Sequence, residues 1–264
     1  MELPQYLGVS LSGGRQERSG LCCLKFHQES ARIFLSDLIL FPTTSFKSGK
    51  SHGDDEILMW VKSQKNAKSI VFDVPISLPP CFQCECDNLR GPLSCPRPDV
   101  QWLLKEQKKK TPKRPSTPYT QRPLDFFYET FDKKKFEVSH ALGANLAPVV
   151  ARSLFLKRRL MLPAYEINPR ICAYALGKKW GLSFLATQRC FSSVDGSEHR
   201  KRLISVLVEK TRLFIYHQDY RSLVSSPHGF SAFLAAFCGY LLDRNEVQES
   251  HKYFSHESFI IPSF

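Results

Sequence analysis

The sequence lacks any apolar run long enough to cross a bilayer: its longest charge-free apolar stretch, Phe230 to Leu242, is too short. The opening residues, Met1 to Gly14, carry neither a cationic start nor a long apolar core, so no secretory leader is expected and a cytoplasmic location is. Acid is scarce, with 25 Asp and Glu against 37 Lys and Arg, a formal net charge of +12. No Gly-Lys-Ser/Thr follows Gly13-Gly14-Arg15 at the right spacing, which excludes a Walker-type nucleotide loop. His140, His199, His217 and His228 form no metal-ligand spacing, and no internal repeat is visible. The 9 cysteines are odd in number and have no secretory context, which argues against a disulfide framework and for thiols or metal ligands.

What is present suffices for a core. The chain has 264 residues, 42% of them apolar, enough for a single domain over 1–264 with a large insertion at 79–160. The excess of cations draws the chain to polyanions, because phosphate contacts release counterions, and nucleic acid is the first partner expected. The cations come in runs: Lys108-Lys109-Lys110, Lys113-Arg114, Lys133-Lys134-Lys135, Lys157-Arg158-Arg159 and Arg200-Lys201-Arg202. Each run alone reads as a solvated face; together they suggest a phosphate-tracking surface. Arg15 beside its glycines, and Lys157, Arg158 and Arg159, are the nucleic-acid contacts singled out. A hairpin turn for the first group and helix C-terminal capping for the second are the plainer alternatives. Tyr119, Phe126, Phe127 and Tyr128 can stack on bases but read better as core.

The order of elements suggests an α/β fold. Tyr6–Leu11, Leu21–Phe26 and Ala31–Leu38 read as strands, with Gly13, Gly14 and Gly20 punctuating the first hairpin. A helix fits Asp54 to Gln64, with three acids in its first turn and Ile57, Trp60 and Val61 on one face. Ser69–Val74 reads as a strand buried on both faces, and Pro163–Asn168 as another. Lys105 to Pro123 shows no apolar periodicity and is expected as an exposed basic loop. Ala144–Leu160, Ile171–Leu176, Gly196–Lys210 and Pro227–Asp243 read as helices. The last of these sets Phe230, Phe233, Leu234, Phe237 and Leu241 on one face, beside small residues that allow close packing. The pattern fits a mixed five-stranded sheet with helices on both faces.

Six short segments then come in a telling order: YLGVSLSGG (Tyr6–Gly14), VFDVPISLPPC (Val71–Cys81), TPYTQRPLD (Thr117–Asp125), GANLAP (Gly143–Pro148), YEINPR (Tyr165–Arg170) and HGFSAFLAAF (His228–Phe237). In these the chain resembles the domain-of-unknown-function 429 family, described as ribonuclease-H-like nucleases. The resemblance implies a ribonuclease-H-like fold. It also implies carboxylates at strand ends that hold Mg²⁺ or Mn²⁺ for in-line phosphodiester cleavage. Asp73 and Glu166 match two of the family's acids and are the implied metal ligands and catalytic residues. Ser10 and Ser231 stand where the family carries the other two acids, Gly229 being the alternative match in the last helix. Asp243 lies too far along that helix to replace Ser231, whereas Asp87 and Asp195, in expected loops, can be recruited. The plainer readings are a turn-forming Asp73 and a Glu166 paired with an arginine such as Arg170.

Two functions follow. One is a divalent-metal-dependent nuclease with a degenerate site, using Asp73 and Glu166 with Ser10 and Ser231 as polar substitutes. The other is a non-catalytic nucleic-acid-binding or interaction module on the same fold. Chemistry on a nucleotide or small phosphate is a third. Separately, Cys81-x2-Cys84-x-Cys86-x8-Cys95 places four thiols in a proline-rich stretch with no core of its own, which suits a structural Zn²⁺. Free thiols and an iron–sulfur cluster are the alternatives.

Overall fold

The computed structural model describes residues 3–13, 18–42, 53–85, 91–110 and 117–263. Its centre is a six-stranded sheet in the order β5-β4-β1-β2-β3-β6. The strands are β1 (Gln5–Ser10), β2 (Arg18–His27), β3 (Arg32–Pro42), β4 (Ala67–Phe72), β5 (Ala164–Glu166) and β6 (Leu213–Phe214). β1 pairs antiparallel with β2 and β2 with β3, while the β1–β4, β4–β5 and β3–β6 pairs are parallel, so β2 alone runs against the rest.

The expected five strands are therefore six. β6 escapes a reading by pattern because two residues are too few to show alternation. The expected basic loop is also corrected in part. Lys105 to Lys110 close a helix, α2 (Pro98–Lys110), whose Val100, Leu103 and Leu104 are buried. Three apolar residues among many lysines leave its periodicity faint.

β1 is buried along its whole length, and its alternation divides two cores. Leu7 and Val9, with Ile70 and Phe72 of β4, face α1 (Gly53–Ser63) and α4 (Ala147–Lys157) through Ile57, Val61, Val149 and Leu156. On the other face lies α9 (Pro227–Asp243), backed by α5 (Pro169–Lys179), α7 (Gly196–Thr211) and α8 (His217–Ser225). α9 approaches closely because Gly8 leaves room for its backbone: a Cβ there would lie 1.9 Å from the Ala232 carbonyl oxygen. Gly20 does the same for His228, whose carbonyl oxygen would be 2.6 Å away.

The remaining elements close one end of the sheet. α3 (Pro123–Glu129) packs on α5 and on the C-terminal segment through Leu124, Tyr128, Ile171, Phe254 and Phe259. α6 (Phe184–Arg189) follows α5, and a small hairpin of β7 (Val247–Gln248) and β8 (Ile261–Pro262) ends the described chain. The segment before β8 runs beside β5: Glu166 donates its N–H to Ser258 at 2.9 Å, and Ile260 donates to Glu166 at 2.9 Å. That pairing brings Glu257 to the strand ends.

Candidate functional site

Ser10, Asp73 and Glu166 sit at the carboxyl ends of three adjacent parallel strands, β1, β4 and β5. The backbone N–H of Asp73 still donates to Val9, at 3.0 Å, so the carboxylate is held in sheet register. Strand alternation puts Ser10 on the α9 face together with Gly8, where it meets His228 in the first turn of that helix.

The Ser10 hydroxyl donates to Asp73 Oδ2 at 2.5 Å and lies 2.8 Å from His228 Nδ1. A hydroxyl has one proton, so with Asp73 ionised the Ser10–His228 bond requires the proton on Nδ1. The Leu11 N–H donates to Asp73 Oδ1 at 3.1 Å. Burial pushes the Asp73 carboxyl up to about 6, against the Ser10 hydrogen bond and the attraction of His228, which pull it down. Ser10 thus stands between acid and imidazole. In a hydrolase triad the imidazole takes the middle place, so this order does not activate Ser10 as a nucleophile.

Glu166 belongs to a second network, centred on Arg122. The Arg122 guanidinium donates to Glu166 Oε2 and Oε1 at 2.7 and 2.8 Å, and to Asp125 Oδ1 through Nε and an NH2 group at 3.1 and 2.7 Å. It also reaches Ser77 Oγ at 2.7 Å and Glu257 Oε2 at 3.4 Å. Asp125 in turn accepts the Arg122 N–H at 2.9 Å, a capping arrangement that starts α3. The Ile76 N–H donates to Glu166 Oε2 at 2.9 Å. Arg122 is 1% exposed. Burial works against its charge, but Asp125, Glu166 and Glu257 outweigh it and keep it protonated. Three carboxylates around one cation leave excess negative charge. Glu257 carries the consequence: burial pushes it up to about 7, with Arg122 pulling down and Glu166 pushing up. Ser77 donates to Glu257 Oε2, while Glu257 Oε1 is buried with no partner among the described residues.

These residues do not fit Mg²⁺ or Mn²⁺ between Asp73 and Glu166. Both Glu166 oxygens are engaged by a guanidinium that already supplies the local positive charge, and Asp73 accepts from Ser10 and Leu11. A divalent ion beside Arg122 meets like-charge repulsion. Among the described residues no group of three or more His, Cys, Asp or Glu is arranged to hold a metal. The arginine that pairs with Glu166 is Arg122, not Arg170, which reaches Glu137 at 3.7 Å.

The other singled-out residues fall elsewhere. Ser231 is buried in α9, one turn beyond His228; it is His228 that joins Ser10. Asp195 lies 3.6 Å from Arg189 and 3.5 Å from His199. Asp243 accepts from Tyr6 at 2.7 Å, near the opposite end of β1. Lys157 donates to the Ile76 carbonyl at 3.2 Å; Arg158 and Arg159 are exposed, Arg159 lying over the Phe155 ring at 3.6 Å. Arg15, Cys86 and Asp87 lie outside the described residues, as do Gly14, Lys113 and Arg114. Cys81 and Cys95 share a small cluster with Val100 and Leu104. Burial and then the neighbouring Cys95 and Cys84 push the Cys81 thiol up to about 11. Among the described residues no disulfide joins these cysteines.

Sequence reading missed Arg122, Asp125, Ser77 and Glu257, and noted of His228 only that it has no metal-ligand spacing. Arg122 and Asp125 stood inside one of the quoted segments, where spacing suitable for helix capping was their available signal. Beside these networks opens a cleft of about 240 Å³, lined by Asp73, Tyr128, Glu166, Asn168, Arg170 and Phe191 among others. No protein-family model, curated protein or solved structure matches the chain.

Proposed function

We propose that this protein is a metal-independent nucleic-acid-binding module on a ribonuclease-H-like sheet. The observation that carries this reading is the Arg122 guanidinium, held bidentate by Glu166 among the strand-end acids where a nuclease of that fold needs its metal. The order β3-β2-β1-β4-β5 with β2 alone reversed, and helices on both faces, supports the fold part. The polyanion part is supported by the net charge of +12 and by exposed cations at Lys108, Lys133 to Lys135, Arg158, Arg159, Lys201 and Arg202. No helix among the described residues is long and apolar enough to cross a membrane.

Fluorescence anisotropy with labelled single-stranded RNA and DNA, in EDTA and in Mg²⁺, tests it. Binding is expected in both, weakening steeply as salt rises, with the oligonucleotides intact afterwards. Binding or cleavage that appears only with the metal overturns it.

A further inference from the structure

Beside the cleft lies a hydrogen-bonding group that neither network uses. Tyr128 lines it and is 2% exposed, and its hydroxyl is buried with no hydrogen-bond partner among the described residues. An unsatisfied buried hydroxyl is costly and uncommon, because buried tyrosines generally find a partner for the O–H. Tyr128 is also held in place. Its ring stands edge-on to Phe259, centroids 6.3 Å apart at 90°, on a helix whose start is pinned by the Arg122–Asp125 pair. Burial, and then the charge of Glu166, keep the phenol protonated, so it can donate as well as accept.

The remaining lining is chemically mixed. Asp73 supplies an acceptor. Asn168 caps α5: its side-chain oxygen accepts from the N–H groups of Arg170 and Ile171 at 3.0 and 3.3 Å, which leaves its NH2 as the donor. Phe191 and Arg170 lie together in the lining, with the guanidinium over the ring, 5.2 Å from its centroid. Arg170 is held there loosely, by Glu137 at 3.7 Å and the Gln188 carbonyl at 3.4 Å.

A volume of about 240 Å³ lies below the range of about 300–1,000 Å³ usual for drug-sized ligands. It suits a small planar molecule with donors and acceptors on its edge and an aromatic face. We propose that the cleft receives one unstacked nucleobase, its face on the Arg170 guanidinium that lies over Phe191 and its polar edge read by Tyr128, Asn168 and Asp73. Aromatic rings and guanidinium planes are the surfaces on which unpaired bases stack. This inference rests on the nucleic-acid reading above and gives that reading its base contact, while exposed cations track the phosphates.

The test is titration of the full chain, by NMR or calorimetry, with adenosine, cytidine, guanosine and uridine, which carry no phosphate, and separately with inorganic phosphate. Saturable binding of at least one nucleoside is expected. Tyr128→Phe weakens it about tenfold, the equivalent of one hydrogen bond of ~1.4 kcal/mol. Inorganic phosphate does not compete. Arg170→Ala, at a part-exposed side chain, weakens the same nucleoside while the melting temperature holds, which covers the case of a misfolded Tyr128 variant. No saturable binding of any nucleoside at millimolar concentration, or affinities unchanged in both variants, overturns the cleft assignment. The two readings separate cleanly. If oligonucleotides bind wild type and Tyr128→Phe alike while nucleosides do not bind, the cleft assignment alone fails. If nucleosides bind as stated and no oligonucleotide does, the nucleic-acid module fails and the cleft stands as a base-binding site.

Discussion

Arg122 meets Glu166 through two parallel hydrogen bonds, at 2.7 and 2.8 Å, with both side chains almost wholly buried. A bidentate pair of this kind is the strongest geometry open to an arginine and a carboxylate. It sits at the end of β5, where the motif resemblance implies a metal ligand. One side chain from the 117–125 segment thereby changes what the strand-end acids can do. Glu166 is ion-paired from within the chain, while Asp73 is held by Ser10 and Leu11.

Removing that arginine is expected to cost more than an ordinary core change. Arg122→Met leaves Asp125, Glu166 and Glu257 buried without their cation. Breaking a buried ion pair from one side costs about 3–5 kcal/mol. Urea unfolding at neutral pH is expected to show a loss of that order, partly recovered in mild acid as the carboxylates take up protons. A loss below about 1 kcal/mol speaks against Arg122 as the hub.

Glu257 sets a pH dependence with a definite sign. Its carboxyl lies near 7 in the folded chain against an ordinary 4.5, so the folded state holds the proton more tightly. That preference is worth about 3 kcal/mol at most. It is fully present below about pH 4.5 and is lost as the pH rises through about 7. Asp73, pushed up to about 6, acts in the same direction. Thermal unfolding of wild type is therefore expected to weaken between about pH 5 and 8, and Glu257→Gln to flatten the upper part of that decline. An identical pH profile in the variant counts against the assignment.

Ser10 holds Asp73 down. Its hydroxyl is one of the groups that offset burial at that carboxylate, so Ser10→Ala is expected to move the Asp73 carboxyl above 6. A carbon-detected NMR titration of the aspartate side chains reads this directly. No movement of that titration would mean that Ser10 does not control it.

Gly8 is required by the approach of α9. A Cβ at that position meets the Ala232 carbonyl oxygen at 1.9 Å and the Ala236 nitrogen at 2.5 Å, both backbone atoms that cannot turn aside. Gly8→Ala is expected to destabilise the fold by about 3 kcal/mol or more, at the upper end of overpacking costs. Calorimetry that finds it neutral shows that α9 can slide on the sheet.

Much of the fold was legible locally. The apolar face of α9, the apolar run of β4 and the acids opening α1 are periodic or positional signals carried by neighbouring residues. They needed no knowledge of the rest of the chain. β6 and the apolar face of α2 were not, since one is too short for a pattern and the other is masked by lysines. At the site, Ser10, Asp73 and Glu166 could be named because they stand at positions where the motif resemblance implies acids. Their partners could not, since Glu166 and Glu257 lie 44 and 135 residues from the arginine that joins them.

The sequence by itself determined the class of the protein: a basic α/β chain with a two-faced central sheet, acids at two strand ends and serines at two further places. Apolar spacing and net charge are local or summed properties, so they survive reading in one dimension. Only the tertiary structure decided what those acids do. The energy of a buried carboxylate depends on which charge and which donors lie within a few ångströms of it, and that is set by chain crossings. Here they bring Arg122 to Glu166, His228 to Ser10, and Tyr128 to the lining of a cleft.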